Sequence, residues 1–193
     1  PFEFGNGHYP DIDDTALLGW LMLRRDRKRY RVSLARAAEW VAGMQSRNGG
    51  FGAFDADNDR AYLNEVPFAD HGALLDPPTA DVTARCIAFL GLHDPTRHRA
   101  SILRALAFLA REQEPEGCWF GRWGTNYIYG TWSVLAALEP LPRSLISEWD
   151  GRRARAADWL ESVQRDDGGW AESNDSYADR TSMGRGELST AFH

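Results

Sequence analysis

Arg104-Ala105-Leu106-Ala107-Phe108-Leu109-Ala110-Arg111-Glu112-Gln113-Glu114-Pro115-Glu116-Gly117-Cys118-Trp119 is the stretch that decides the fold, because its pattern occurs three times. The positions Arg104-Ala105, Phe108-Leu109, Gln113, Gly117 and Trp119 return upstream as Arg36-Ala37, Trp40-Val41, Gln45, Gly49 and Phe51. They return downstream as Arg155-Ala156, Trp159-Leu160, Gln164, Gly168 and Trp170. The internal spacing is the same each time, without a gap, and long-period self-similarity of this kind marks a repeat architecture. The front of each unit suits a helix, with Arg, aromatic and Gln on neighbouring turns. The Gly-containing tail then stops the helix and turns the chain. Further helical stretches lie between the units, from Asp81 to Leu92 and from Thr131 to Leu138. The expected fold is therefore all-α, an array of helical hairpins. A Gln at the end of one helix is expected to bond the free N–H groups that open the next, with the closing aromatic packed over its amide. This reading makes the repeats structural, since repeated elements stack on their neighbours.

Upstream of the first repeat, Tyr9-Pro10-Asp11-Ile12-Asp13-Asp14-Thr15-Ala16 crowds three carboxylates just before the apolar, helix-like run from Leu17 to Leu23. Crowded carboxylates repel one another as anions, so at least one keeps its proton above the ordinary range. A carboxylic acid held protonated is what Brønsted-acid chemistry needs. The same run also suits a helix start, where Asp caps and acidic residues meet the positive end of the dipole. One cap needs one Asp, and both readings stand at this point.

The aspartate run with Thr-Ala, the three repeats, the stretch from Met44 to Asn58, the segment from Asp76 to Arg85 and the block from Gln113 to Trp132 together resemble the squalene–hopene cyclases, bacterial class II triterpene cyclases. Members of that family are several times longer, so the 193 residues resemble a stretch of their C-terminal half. The resemblance implies that residues 1–193 are part of the catalytic domain, an (α/α)6 barrel whose two rings of helices these hairpins are too few to close. The chain opens on Pro1-Phe2-Glu3-Phe4 without a start Met or a signal peptide, and departs from the family pattern after Ala191, as expected of a fragment that does not turn over substrate alone.

The implied activity is cyclisation of squalene to hopene or hopanol in hopanoid biosynthesis, started by protonating a carbon–carbon double bond, with no cofactor and no metal. By resemblance, Asp13 is the proton donor. Asp11 and Asp14 orient and tune its proton, and the triplet acts as one coupled acid. Arg85 stands where some members have His. An Arg stays charged and can hold two carboxylate oxygens, so the residue reads as a fixed counter-ion rather than a proton shuttle. Asp81 is placed to orient its guanidinium as an i, i+4 partner. Tyr129 matches a tyrosine of the hydrogen-bonded network around the acid. Trp123 matches a cavity-lining tryptophan, and Phe2 an aromatic that stabilises a cation. Phe54 stands where many members have Tyr, which leaves a ring face and loses a hydroxyl. Arg122 reads as structural, binding carbonyls or carboxylates.

The remaining composition bounds the alternatives. Twenty-two basic and 28 acidic residues give a net charge of −6, which argues against a nucleic-acid partner. Eight Trp suit both repeat junctions and an aromatic-lined cavity. Cys86 and Cys118 are isolated, without metal-ligand spacing or a reason to pair. Asp55-Ala56-Asp57-Asn58-Asp59 starts like a calcium loop, but Arg60 replaces its Gly and Val66 its Glu. Class I terpene synthases use a different acidic spacing and a second metal motif that is missing here. An inverting glycosidase on a similar barrel is the best rival enzyme, and the repeats speak against it. Oxidosqualene cyclases carry Cys where this chain has Asp14. No run is long and apolar enough to span a bilayer. Attachment to a lipid surface, as a monotopic protein on the cytoplasmic side of the bacterial membrane, follows from the resemblance alone, which also leaves room for a homodimer. Cyclisation of another polyprenoid, or a non-catalytic helical array, are the competing expectations.

Overall fold

The computed structural model describes residues 10–58 and 76–186. Among them are seven α-helices and no strand: α1 (Ile12–Asp26), α2 (Arg31–Gly43), α3 (Ala80–His93), α4 (Arg99–Glu112), α5 (Tyr127–Leu138), the short α6 (Arg143–Ile146) and α7 (Asp150–Ser162). A single antiparallel bridge joins Phe51 to Thr79. Phe2, and the positions Arg60, Val66 and 189–193 used above, lie outside the described residues.

The helices form two rows. In the first, α3 packs between α1 and α5; in the second, α2 lies on α1 and α3, α4 on α3, and α7 on α5. The central helix α3 shows why: almost all of its residues from Ala80 to Gly91 are buried. By contrast α1 buries only the stripe Ile12, Ala16, Gly19 and Leu23. A Cβ on Gly19 would stand 2.5 Å from the Phe89 ring, so the absence of a side chain there sets how closely α1 approaches α3. Leu17, Leu18 and Leu21, which made α1 look uniformly apolar, are exposed along its other side.

The three repeats form α2, α4 and α7 with the turns that follow them. Their glycines sit in the left-handed region, with φ of 94° at Gly49, 104° at Gly117 and 85° at Gly168. Each repeat Gln donates from Nε2 back to the carbonyl of its own turn glycine, at 2.8–2.9 Å. The link to the next repeat differs from expectation. Gln45 donates to the carbonyl of Ser101 at 2.9 Å and accepts from the Ser101 hydroxyl at 2.8 Å and from Arg104. Gln113 repeats this with the carbonyl of Arg152 at 3.1 Å and the guanidinium groups of Arg152 and Arg155. An amide NH2 needs an acceptor, and a helix carbonyl offers a second lone pair, so the Gln meets a C=O and side-chain donors rather than free N–H groups. The Arg of each later unit thereby binds the Gln of the unit before it.

The closing aromatics also bond differently from the packing expected. Trp119 and Trp170 return their indole N–H to the carbonyls of Leu109 and Leu160, at 2.7 and 2.8 Å, which satisfies an end group of their own helix. The backbone N–H groups of Phe51 and Trp119 dock onto the hydroxyls of Thr83 and Thr131, at 2.9 and 3.0 Å. The first two repeat turns are thus anchored to the inner helices that follow them, α3 and α5.

Candidate active site

This anchoring brings the N-terminal ends of α1, α3 and α5 together. Asp13 is the second residue of α1, Arg85 lies on the second turn of α3, and Tyr129 on the first turn of α5. Arg85 donates from Nη1 to Oδ2 of Asp13, and its guanidinium lies over the Tyr129 ring, 5.4 Å from the centroid. The two charged side chains are only 14% (Asp13) and 21% (Arg85) exposed. Oδ1 of Asp13 is buried and makes no hydrogen bond.

The three aspartates divide the work. Asp11 is the N-cap of α1, accepting the backbone N–H of Asp14 at 3.1 Å, and its carbonyl accepts the Thr15 hydroxyl at 2.6 Å. Asp13 faces Arg85. The side chain of Asp14 is exposed, and its contribution is a backbone N–H rather than a carboxylate against the Asp13 proton. Capping thus falls to Asp11, and the carboxylate that meets Arg85 is that of Asp13.

Burial pushes the Asp13 carboxyl up to about 6, with Asp81 and Asp11 adding to the rise and Arg85 opposing it. Asp11 is also raised, chiefly by burial and then by the Asp14 charge, against the lowering effect of the N–H groups it accepts. A proton on Asp13 has one placement that leaves the Arg85 contact intact, the unpartnered Oδ1. Once the proton leaves, the guanidinium stabilises the carboxylate.

Around this pair stands a second set of acids. Asp81 was expected to orient Arg85; instead its Oδ1 takes the Thr79 hydroxyl at 2.6 Å and its Oδ2 the backbone N–H groups of Arg122 and Trp123 at 3.1 and 2.9 Å. The chain before α5 presents two unsatisfied N–H groups, and these outcompete a guanidinium already engaged by Asp13. Asp76 accepts the N–H of Ala53 through Oδ2, and its Oδ1 lies 3.2 Å from Arg122 Nε. Arg122 does bind a carboxylate, as the sequence suggested, and that carboxylate belongs to the site's frame. The role of Asp76 was missed; its place at the head of the Asp76–Arg85 segment was the available signal. Asp76 and Arg122 flank Phe54 and Trp123, whose rings meet edge to face at 5.8 Å and 80°. Trp123 is 43% exposed, on the open side of the site. Trp132, also exposed and not singled out before, meets Tyr129 edge to face at 6.0 Å.

Among the described residues no three His, Cys, Asp or Glu side chains are arranged to hold a metal ion. Asp57 is spent on Arg47, accepting its backbone N–H at 2.7 Å and its Nε at 2.9 Å. Cys86 and Cys118 are free and buried; burial pushes the Cys118 thiol up to about 12 and raises Cys86 as well. No described helix is long and apolar enough to cross a membrane.

Residues 1–192 match the family described as the squalene-hopene cyclase C-terminal domain. The chain belongs to this family. Similar curated proteins include a probable squalene–hopene cyclase of Sinorhizobium fredii, 50% identical over 182 residues, which cover 92% of this chain and 28% of that protein. The squalene–hopene cyclase of Zymomonas mobilis is 49% identical over 184 residues, 92% of this chain and 27% of its own length. A dammaradiene synthase of Dryopteris crassirhizoma is 41% identical across 98% of this chain and 30% of its own length. The chain thus spans under a third of the length of these relatives. Its paired rows of helices are the hairpins of an α/α toroid, the architecture of the squalene-hopene cyclase C-terminal domain.

Proposed function

We propose that this chain is the acid-bearing part of a squalene–hopene cyclase, in which Asp13 starts cyclisation by protonating a terminal double bond of squalene. The observation that carries the reading is the Asp13 carboxyl itself, raised to about 6 with one oxygen on Arg85 and the other buried and unpartnered. An alkene is a very poor base, so the acid must be dry, aimed and relieved of its charge after transfer. In the step, the π electrons of the alkene form a C–H bond with the Asp13 proton and the O–H bond breaks. Asp13 becomes a carboxylate against Arg85, and a tertiary cation forms at the other alkene carbon. The next double bond attacks that cation, and the series ends by loss of a proton or capture of water, giving hopene or hopanol. The faces of Phe54 and Trp123 suit the passing positive charge. Tyr129, stacked on Arg85, belongs to the network that returns a proton to Asp13.

The exposed leucine edge of α1 supports a further part of this reading, that the barrel is completed by the rest of a longer protein and that the isolated chain is inactive. We also propose that the full protein lies on the cytoplasmic face of a bacterial membrane, where its substrate partitions, and that it acts without a metal; co-flotation with lipid vesicles tests the first. The test of the activity is turnover of squalene by the full-length protein in detergent with chelator present, read by gas chromatography–mass spectrometry. Pentacyclic product is the expected result. No product from folded protein overturns the squalene assignment, and cyclic product from another polyprenoid would replace it.

A further inference from the structure

The segment after the third repeat, which no repeat or acid motif accounts for, closes over the start of α5. This helix opens without a local cap: the side chain of its N-cap, Asn126, makes no capping bond and turns instead to the Ser176 hydroxyl at 3.3 Å. The cap comes from a distant residue. Glu172 Oε2 accepts the backbone N–H groups of Asn126 and Ile128 at 3.0 and 2.8 Å, and its Oε1 accepts the N–H of Gly184 at 3.1 Å. A carboxylate at this end also meets the positive pole of the helix. Nearby, the Tyr177 hydroxyl lies 3.2 Å from the carbonyl of Arg122 and 3.0 Å from that of Gly124. Its ring stands edge-on to Phe120 at 5.8 Å. Asn174 takes the Thr125 hydroxyl at 3.0 Å.

The peptide groups around Trp123 are thus gripped from two sides. Asp81 of α3 holds the N–H groups of Arg122 and Trp123, and Tyr177 holds the carbonyls that flank the indole. One residue past the Glu172 cap stands Tyr129, against Arg85. Two of the three bonds on this carboxylate reach across 44 and 46 residues of sequence to the start of the helix that carries Tyr129, just after Trp123, which exceeds what closing a surface loop requires.

We propose that Glu172 and Tyr177 are positioning residues that fix Trp123 and Tyr129 for cyclisation, an inference that rests on the cyclase reading above. Neither touches the reacting carbons. They act by holding the aromatic wall still, so that the polyene is kept folded between ring closures and the cation is not lost early. Loosening the brace then changes which product forms more than whether substrate binds or Asp13 is protonated.

The test uses the full-length protein with Glu172→Ala and Tyr177→Phe, the second removing one hydroxyl and serving where the first does not fold. For each, squalene kinetics, the product spectrum and amide hydrogen exchange are measured. The expected result is a kcat roughly tenfold lower with KM within about twofold. A rise in incompletely cyclised products is expected with it, the acid limb of the pH profile staying in place. Exchange at Asn126 and Ile128 is expected to quicken in Glu172→Ala. An unchanged product spectrum in both folded variants overturns the positioning role. Unchanged exchange at Asn126 and Ile128 overturns the brace, whether or not the protein turns over. Wild-type protein that forms no cyclic product overturns the cyclase reading instead, and is told apart because the exchange readout needs no substrate.

Discussion

Gln113 and Asp13 are both polar side chains at the seams between helices, and they are treated in opposite ways. Gln113 has every group engaged: Nε2 donates to the carbonyls of Gly117 and Arg152, and Oε1 accepts from Arg152 and Arg155 at 3.0 and 2.7 Å. Asp13 has one oxygen on Arg85 and the other buried with nothing. Four buried side-chain polar atoms among the described residues lack a hydrogen bond. Three of the four belong to Asp13, Asp76 and Asn126, at or beside the mouths of the inner helices, and none belongs to a repeat. Asp76 Oδ1 does have Arg122 beside it, at ion-pair distance. Buried polar groups are ordinarily paired because leaving one unpaired costs about 1–3 kcal/mol. The outer seams follow that rule and serve architecture. The inner ends break it, at Asp13 most plainly.

The sharpest way to break the comparison is Asp13→Asn. An amide keeps the shape and cannot protonate an alkene, so squalene turnover by the full-length protein should fall on the order of 10³-fold with the far-ultraviolet circular dichroism unchanged. Retained turnover removes Asp13 as the acid. The wild type carries its own check in pH. With the carboxyl raised to about 6, the protonated form grows as pH falls through that value. About a tenth of the molecules hold the proton at pH 7 and about nine tenths at pH 5, so kcat/KM should rise about tenfold between them. A profile that rises towards alkaline pH contradicts the assignment.

Arg85→Gln comes next in size. It removes the charge that holds the Asp13 pKa down and pairs with its carboxylate. Turnover should drop roughly 100-fold and the acid limb should move to higher pH. Arg85→His should recover part of the loss below about pH 6.5, where the imidazole is charged. An Arg85→Gln variant as active as wild type would make the ion pair a packing detail.

How far the sequence could be read divides along the same line. The outer helices and their glycine turns follow from local spacing, and the structure keeps every repeat position in place. That the triplet supplies a helix cap was also legible, and Asp11 is that cap. What local spacing could not carry is the meeting of Asp13 with Arg85, 72 residues apart, or of Glu172 with the start of α5. The first of these contacts depends on how closely α1 approaches α3, which Gly19 against Phe89 sets rather than any motif. For the ion pair, only the family resemblance bridged that gap. It did not reach Asp76 or Glu172. Asp81 was misjudged because an i, i+4 rule compares residues within one helix, whereas two of its three partners lie on another segment.

On the architectural side, Gln113→Ala should lower the full-length protein's stability by about 2 kcal/mol, because it strips partners from two guanidinium groups and two carbonyls at once. The melting midpoint should fall by about 1–2 °C, as expected for a chain of the relatives' length, while the product spectrum stays that of the wild type. A changed product spectrum with an unchanged midpoint would mean that the outer seams take part in the chemistry as the inner ends do.

The smallest effects come from one oxygen atom added to either of two rings three positions apart. Phe51 closes the first repeat and is fully buried, so the hydroxyl of Phe51→Tyr enters a packed core. That should cost about 1–3 kcal/mol in melting and leave the products alone. Phe54 is half-buried, edge to face with Trp123 on the open side of the site. From this partly buried position the hydroxyl of Phe54→Tyr can reach solvent, so the melting midpoint should hold and turnover should stay within about twofold, because the edge contact it perturbs is worth only about 0.5–1.5 kcal/mol. The product ratio should nevertheless move, since an oxygen placed beside a passing cation alters where the charge rests and which carbon loses its proton. If the two variants exchange behaviours, Phe54 belongs to the packing and Phe51 to the cavity, and the boundary between architecture and chemistry runs on the other side of the Phe51 turn.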